Sequence, residues 1–200
     1  MKSTRLFTLG TAVALGVASS AFAGGNFSFT APGGLINDND ITIFPLSVSG
    51  DMGMQQILSL DVTISGLNHS HPDDLGFYLA APNLSTIKLL QNQGDGFDLS
   101  NATITFSDGG ASPAPDEAQI VSGATYLPRG LSEGTDQGFA SFIGKSGTGQ
   151  WLLLAVDDSA GDTGSFGELK LQGTFVPEPA TISLLVLGAA AALRRRRAVA

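Results

Sequence analysis

The sequence predicts an all-β fold, an antiparallel β-sandwich or jelly roll set between two hydrophobic terminal segments. Three observations carry this expectation. Apolar residues recur at every second position in several stretches, which is the period of a strand with one buried face. Glycine is abundant, 26 of 200 residues, about twice the ~7% average, as in chains rich in turns. Between residues 24 and 176 no stretch keeps helical periodicity over three turns.

The elements follow in chain order. Residues 24–39 read as an N-terminal arm leading into a domain over 40–175. Ile41–Val48 reads as a strand that Pro45 confines to a sheet edge or a bulge, because proline donates no ladder hydrogen bond. Leu58, Leu60, Val62 and Ile64 alternate with Ser59, Asp61, Thr63 and Ser65, giving one apolar face. After a break at Leu75-Gly76, Phe77–Ala81 forms a short strand ended by Pro82-Asn83, with Thr86–Leu90 as its hairpin partner. Ala102, Ile104 and Phe106 alternate in the next strand. Asp108–Phe139 exceeds an ordinary connection and is expected to be a functional loop. Trp151–Val156 is continuously apolar and reads as a central strand covered on both faces. Leu169, Leu171 and Phe175 give the apolar side of the last strand. A body of about 150 residues buries roughly 68–70% of its unfolded surface, enough for one core.

Composition narrows the chemistry. Cysteine is absent, so thiol catalysis, disulfides and cysteine-based metal sites are excluded. Residues 24–176 hold four basic residues (Lys88, Arg129, Lys145 and Lys170) against 17 acidic ones, a net charge of −13. Phosphate binding needs clustered lysine and arginine, so nucleic acid is excluded as a partner. Carboxylate-rich turns make calcium the first cofactor to consider.

Both ends are addresses rather than parts of the fold. Lys2 and Arg5, the apolar run 6–18 and the small residues Ala21 and Ala23 form a signal peptide over 1–23, cleaved after Ala23. At the other end, Pro177, Glu178 and Pro179 precede a 14-residue apolar run, 180–193, then Arg194, Arg195, Arg196 and Arg197. As a helix that run rises ~21 Å, short of the ~30 Å hydrocarbon core. The arginines stay cytoplasmic by the positive-inside rule, leaving the Pro-Glu-Pro outside. In order, spacing and position, residues 176–200 resemble the PEP-CTERM sorting tail of Gram-negative bacteria. The resemblance implies transient anchoring in the inner membrane, processing by an exosortase near the Pro-Glu-Pro, and export to the cell surface or extracellular matrix, in connection with exopolysaccharide and biofilm.

Two further stretches carry a second resemblance. His69-Ser70-His71-Pro72-Asp73-Asp74-Leu75 runs through Phe77-Tyr78-Leu79 and Ala81-Pro82 to Leu89-Leu90. About 80 residues later come Gly149-Gln150-Trp151-Leu152-Leu153, Val156-Asp157-Asp158, Gly161-Asp162-Thr163-Gly164 and Leu169-Lys170-Leu171. Together they resemble the P/Homo B domain of proprotein convertases and bacterial subtilisin-like proteases. The resemblance implies an eight-stranded jelly roll that stabilises a neighbouring protease domain. Only about 17 residues lie between the signal cleavage site and Ile41, too few for such a domain.

Asp74, Asp157, Asp158 and Asp162 are the candidate calcium ligands, since calcium needs six to eight oxygens from flexible loops. The alternative reading is that these aspartates cap turns. His69 and His71 are the only histidines; zinc would need a third ligand from Asp73 or Asp74, whereas a hydrogen-bonded loop histidine is the simpler reading. No Gly-x-Ser-x-Gly elbow occurs, the phosphate-loop spacing fails around Gly144-Lys145-Ser146-Gly147, and the pairs Asp73-Asp74 and Asp157-Asp158 read as turn residues. Trp151, Tyr78 and Tyr126 are candidates for a sugar platform, although Trp151 reads as core. The expectation is a non-catalytic exported module that binds exopolysaccharide or a matrix protein. The alternative is an accessory domain for a separately encoded subtilisin-like serine protease.

Overall fold

A computed structural model describes residues 25–49 and 55–177. The chain folds into β1 (Gly25–Ile36), β2 (Ile41–Val48), β3 (Gln55–His69), β4 (Leu75–Ala80), β5 (Thr86–Gln91), β6 (Leu99–Ser107), β7 (Thr125–Tyr126), a single helical turn α1 (Arg129–Glu133), β8 (Gly149–Asp157) and β9 (Gly164–Pro177). The strands form two sheets, ordered β1-β9-β3-β6-β7 and β2-β8-β4-β5. Every pairing is antiparallel except the short contact between β6 and β7. The all-β sandwich expected from the two-residue period is the fold observed.

Between the sheets lie Val62, Ile64 and Phe106 from one side and Phe77, Leu79, Leu153 and Ala155 from the other, all buried. Trp151 is buried with them, edge-on to Phe142 at 5.1 Å, and its indole N–H donates to the Gly147 carbonyl at 2.8 Å. A buried indole needs that acceptor, since its N–H would otherwise lose water without compensation. Pro45 sits on β2, an edge strand, as a residue without a donor must. The hairpin of β4 and β5 also forms as expected, Phe77 opposite Leu90 and Leu79 opposite Ile87.

Four expectations change. Residues 24–39 do not hang as an arm: β1 pairs with β9 along its length, from Gly25 opposite Phe175 to Ile36 opposite Gly164. Phe27 and Ala31 face the core, a period-two signal masked in the sequence by the Pro32-Gly33-Gly34 breaker. Gly33 is tolerated in that strand because a Cβ there would stand 2.2 Å from the Phe166 carbonyl oxygen. Second, Leu58 is 49% exposed while Ile57 is buried. A bulge between Ile57 and Ser59 shifts the register there, so the apolar face of β3 starts at Ile57 and resumes at Leu60. Third, β8 is central in its sheet but buries only alternate residues, with Leu152, Leu154 and Val156 half-exposed. The continuous apolar run arose from a thinly covered outer face, not from burial on both sides.

The fourth concerns Asp108–Phe139, where the long connection is packed as a cap on the core. Ala114, Ile120, Tyr126 and Phe139 are buried in the main core. Two carboxylates staple its backbone. Asp108 accepts from the N–H groups of Phe139 and Ala140, both at 2.9 Å. Asp136 accepts from Lys88 N–H at 2.9 Å and from Gly138 N–H at 2.8 Å, tying the cap to β5. Charged acceptors make the stronger hydrogen bonds, ~1.5–3 kcal/mol each. Asp136→Ala is therefore expected to lower unfolding stability by about 2–3 kcal/mol in urea denaturation, and a loss under a few tenths would show that the cap does not depend on this staple.

Candidate functional site

The connections β1–β2, β3–β4, β5–β6 and β8–β9 all emerge at one end of the sandwich. That follows from strand direction, and it gathers most of the acidic residues into one pole. Asp38 and Asp40 come from the first connection, Asp73 and Asp74 from the second, Asp95 and Asp98 from the third. Asp157 ends β8, and Asp158 and Asp162 follow it. Asp116 and Glu117 of the cap join them, the Asp116 carbonyl accepting from Gly94 N–H at 3.1 Å. Asp73, Asp95, Asp116 and Glu117 together line an open acidic hollow of about 510 Å³.

Behind this surface lies a buried polar pair. His69 and Asp157 have fully buried side chains, with His69 Nε2 3.3 Å from Asp157 Oδ2. The contact is close but not aligned as a hydrogen bond, and neither atom has a hydrogen-bond partner among the described residues. His69 Nδ1 accepts from the backbone N–H of His71 at 3.2 Å. That bond assigns the ring hydrogen to Nε2, on the side of the ring that faces Asp157. Asp157 Oδ1 accepts from Ser159 N–H at 3.3 Å. His69 reaches this position because β3 shifts register between Ile64 and Leu67, at Gly66 (φ +68°). Without the shift, the inward alternation of Val62 and Ile64 would continue to 66 and 68 and leave His69 outside. Gly164 lies opposite His69, and a Cβ there would stand 2.5 Å from the imidazole Cδ2.

Around the pair the turns are laced by side chains. Ser70 Oγ donates to Asp162 Oδ1 at 3.1 Å and accepts from Thr163 N–H at 3.0 Å. Asn92 donates to Asp158 Oδ2 at 3.2 Å, and Asp38 accepts from Gly161 N–H at 3.0 Å. Asp74 is held above the usual carboxylate range, first by its partial burial, then by its side-chain hydrogen bond to Asp162 and the charges of Asp162 and Asp158. His71 pulls it the other way.

The four aspartates singled out from sequence thus share one pole without forming a cage. Asp157 is buried against His69, whereas Asp158 accepts from Asn92, Asp162 accepts from Ser70, and Asp74 meets the Asp162 carboxyl. Among the described residues no group of three or more His, Asp or Glu side chains is placed to hold a metal. Calcium takes six to eight oxygens, and the described side chains alone do not supply such a set. Zinc shared by His69 and His71 does not fit either, since His69 is fully buried with Nδ1 accepting from the His71 backbone N–H, while the His71 ring is half-exposed. The aromatic platform does not assemble: Trp151 is core, Tyr126 is buried with its hydroxyl accepting from Val121 N–H at 2.8 Å, and Tyr78 stands apart on β4. Gly144–Gly147 is a turn that bonds to Ile57 and leads into a strand, not a helix.

The opposite pole is different in kind. There Ile57, Pro82, Phe142, Lys145, Thr148 and Trp151 are among the residues lining an open cavity of about 340 Å³. The strand that ends there, β9, runs directly into the C-terminal tail. Residues 175–197 match the PEP-CTERM protein-sorting motif. The PEP-CTERM motif marks an exported chain, recognised by an exosortase, whose C-terminus is held transiently at the membrane of a Gram-negative bacterium. The motif begins within the last residues of β9. Ala21, Ala23, Glu178, Pro179 and the arginines Arg194, Arg195, Arg196 and Arg197 lie outside the described residues, as do the apolar runs 6–18 and 180–193.

No curated protein matches the chain. Among solved structures it is similar to the serine protease of Aeromonas sobria, at 14% identity and a TM-score of 0.37, over 74% of this chain and 27% of the protease. The complex of that protease with its chaperone gives 14% identity and a TM-score of 0.39, over 75% and 27%. The chain therefore spans little more than a quarter of those chains.

Two outcomes are expected at the acidic pole. Because folding raises the affinity of Asp74 for its proton above the ordinary value of 3.8, its contribution favours the fold at acid pH and is lost as pH rises through the raised value. Asp74→Asn is expected to raise the melting temperature at pH 7, by a few tenths of a kcal/mol in stability, and to change nothing at acid pH. A lower melting temperature at pH 7 would contradict the crowding. Chelator and millimolar calcium are expected to give the same melting curve, and a calcium-dependent rise would restore the aspartates as ligands.

Proposed function

We propose that the protein is a non-catalytic β-sandwich module, exported and released by exosortase processing, that binds exopolysaccharide or another component in the extracellular matrix. The observation that carries this reading is the sorting motif continuing directly from β9. The body supplies a stable cargo, and its acidic pole is the surface it presents.

The absence of catalysis is part of the proposal, and the geometry of the histidine supports it. A His-Asp pair serves acyl transfer when the second imidazole nitrogen faces a nucleophile. In this chain that nitrogen accepts from a backbone N–H, and both side chains are fully buried. The pair is a structural clamp joining the β3 end to the β8 end.

A second reading, an accessory domain acting on a separately encoded serine protease, rests on the two P/Homo B-like stretches. Their support is that both contribute to one place: His69 from the first meets Asp157 and Gly164 from the second. Intact-mass analysis of the mature chain tests the first reading. Cells holding the sorting protease should yield a chain starting at Gly24 and ending near the Pro-Glu-Pro, and cells lacking it a longer chain that keeps Arg194–Arg197. An identical C-terminus in both cells would overturn it. Retention on isolated exopolysaccharide separates the readings, since the accessory role expects co-purification with a protease and no retention on polymer.

A further inference from the structure

The strand register fixes which end of the sandwich meets the membrane when the tail is inserted. Gly25 pairs with Phe175, and Gln55 with Pro177. The first described residue of β1 and the last of β9 therefore lie side by side at one pole. Only Glu178 and Pro179 separate Pro177 from the apolar run 180–193. Three chain steps span at most about 10 Å when fully extended. Strand β8 alone, nine residues from pole to pole, is roughly 30 Å long at ~3.3 Å per residue. A tether that short holds the β9 end of the sandwich against the bilayer and leaves the acidic pole far from it.

Charge is arranged to suit this. Eleven carboxylates crowd the far pole, whereas the turns 81–85 and 143–148 at the near pole contain no acidic residue and one cation, Lys145. The carboxylates of the adjoining cap are engaged, Asp108 and Asp136 by backbone N–H groups and Glu133 by Lys88 and Arg129. An anionic lipid surface repels the first pole and accepts the second. Exposed apolar residues occur at both poles, so they do not decide the orientation; two at the near pole acquire a role from it. Leu84 is 79% exposed at the tip of the β4–β5 hairpin, held at φ +65°. That left-handed conformation favours glycine or asparagine over leucine, so neither burial nor backbone preference accounts for the residue. Ile143, 39% exposed, begins the adjoining turn, and the cavity shared by Pro82 and Lys145 shows that the two turns are neighbours.

We propose that the pole formed by the 81–85 and 143–148 turns rests on the phospholipid surface of the membrane while the tail is inserted, with Leu84 and Ile143 at headgroup depth, Lys145 beside the lipid phosphates and the acidic pole directed away. This rests on the reading that the apolar run 180–193 enters the bilayer. The partner is the lipid surface itself, not the processing enzyme, because the short tether and the charge asymmetry act before any enzyme arrives.

The chain has no cysteine, so single-cysteine labelling reads the orientation directly. The full chain is reconstituted in phosphatidylethanolamine–phosphatidylglycerol vesicles with an environment-sensitive fluorophore at Leu84→Cys, Ile143→Cys, Asp95→Cys, Ala160→Cys or, within the tail, Leu187→Cys. Acyl-chain quenchers should quench 187, and headgroup quenchers should quench 84 and 143 several-fold more than 95 and 160. Quenching of 187 with equal quenching at the two poles, or stronger quenching at 95 and 160, overturns the orientation and leaves tail insertion standing. No quenching at 187 overturns both. Leu84→Asn, which suits the left-handed backbone and keeps the fold, is expected to reduce headgroup quenching at 143; unchanged quenching there would remove Leu84 from the contact.

Discussion

Strand β9 runs between β1 and β3 and pairs with both over most of its length. Its pairing joins β1 to the rest of the larger sheet, because without β9 the N-terminal strand has no partner there and the central strand β3 loses one neighbour. The same strand sets the two poles. Its first residue, Gly164, packs under His69, and its last leads to the sorting tail. One long antiparallel ladder thus connects the most heavily charged surface of the protein to the membrane-directed tail.

At the upper end of that ladder, burying a histidine and an aspartate together is costly. Such a pair contributes little net stability, yet removing one partner is expensive because the other is left buried and unpaired. The arrangement holds because the neighbouring backbone completes it, with His71 N–H on one imidazole nitrogen and Ser159 N–H on one carboxylate oxygen. The outer aspartates follow a different logic. Several accept from turn N–H groups or short polar side chains, which is how aspartate stabilises turns. Partial burial first, and then the neighbouring Asp162 and Asp158, raise Asp74, and the gathered carboxylates leave a pole that resists anionic surfaces.

The distribution of cations fits this division. Lys88 and Arg129 both engage Glu133, at 2.9 and 2.6 Å, and hold its carboxyl below the usual range. Among the described residues the acidic pole has no lysine or arginine to neutralise it, and its histidines are occupied or exposed at the margin. A chain without disulfides therefore depends on the continuous core between its sheets, and the charged residues are free to set orientation and solubility.

Much of this protein is local, and the sequence by itself determined that part. Period-two alternation gave the β class, Pro45 gave the edge strand, and Pro82-Asn83 gave the hairpin of β4 and β5. The order of prolines, apolar run and arginines at the C-terminus gave the sorting signal, because such a signal is read as linear chain. The tertiary structure decided what depends on pairing across long separations. It turned the supposed arm into β1, moved Leu58 out and His69 in by register shifts, and packed the long polar segment as a cap. It also separated Asp157 from the aspartates beside it in sequence and gathered Asp38, Asp95 and Asp116 into their company. Alternation states which residues share a face, but bulges reset that count, and only the partner strand fixes where a bulge falls.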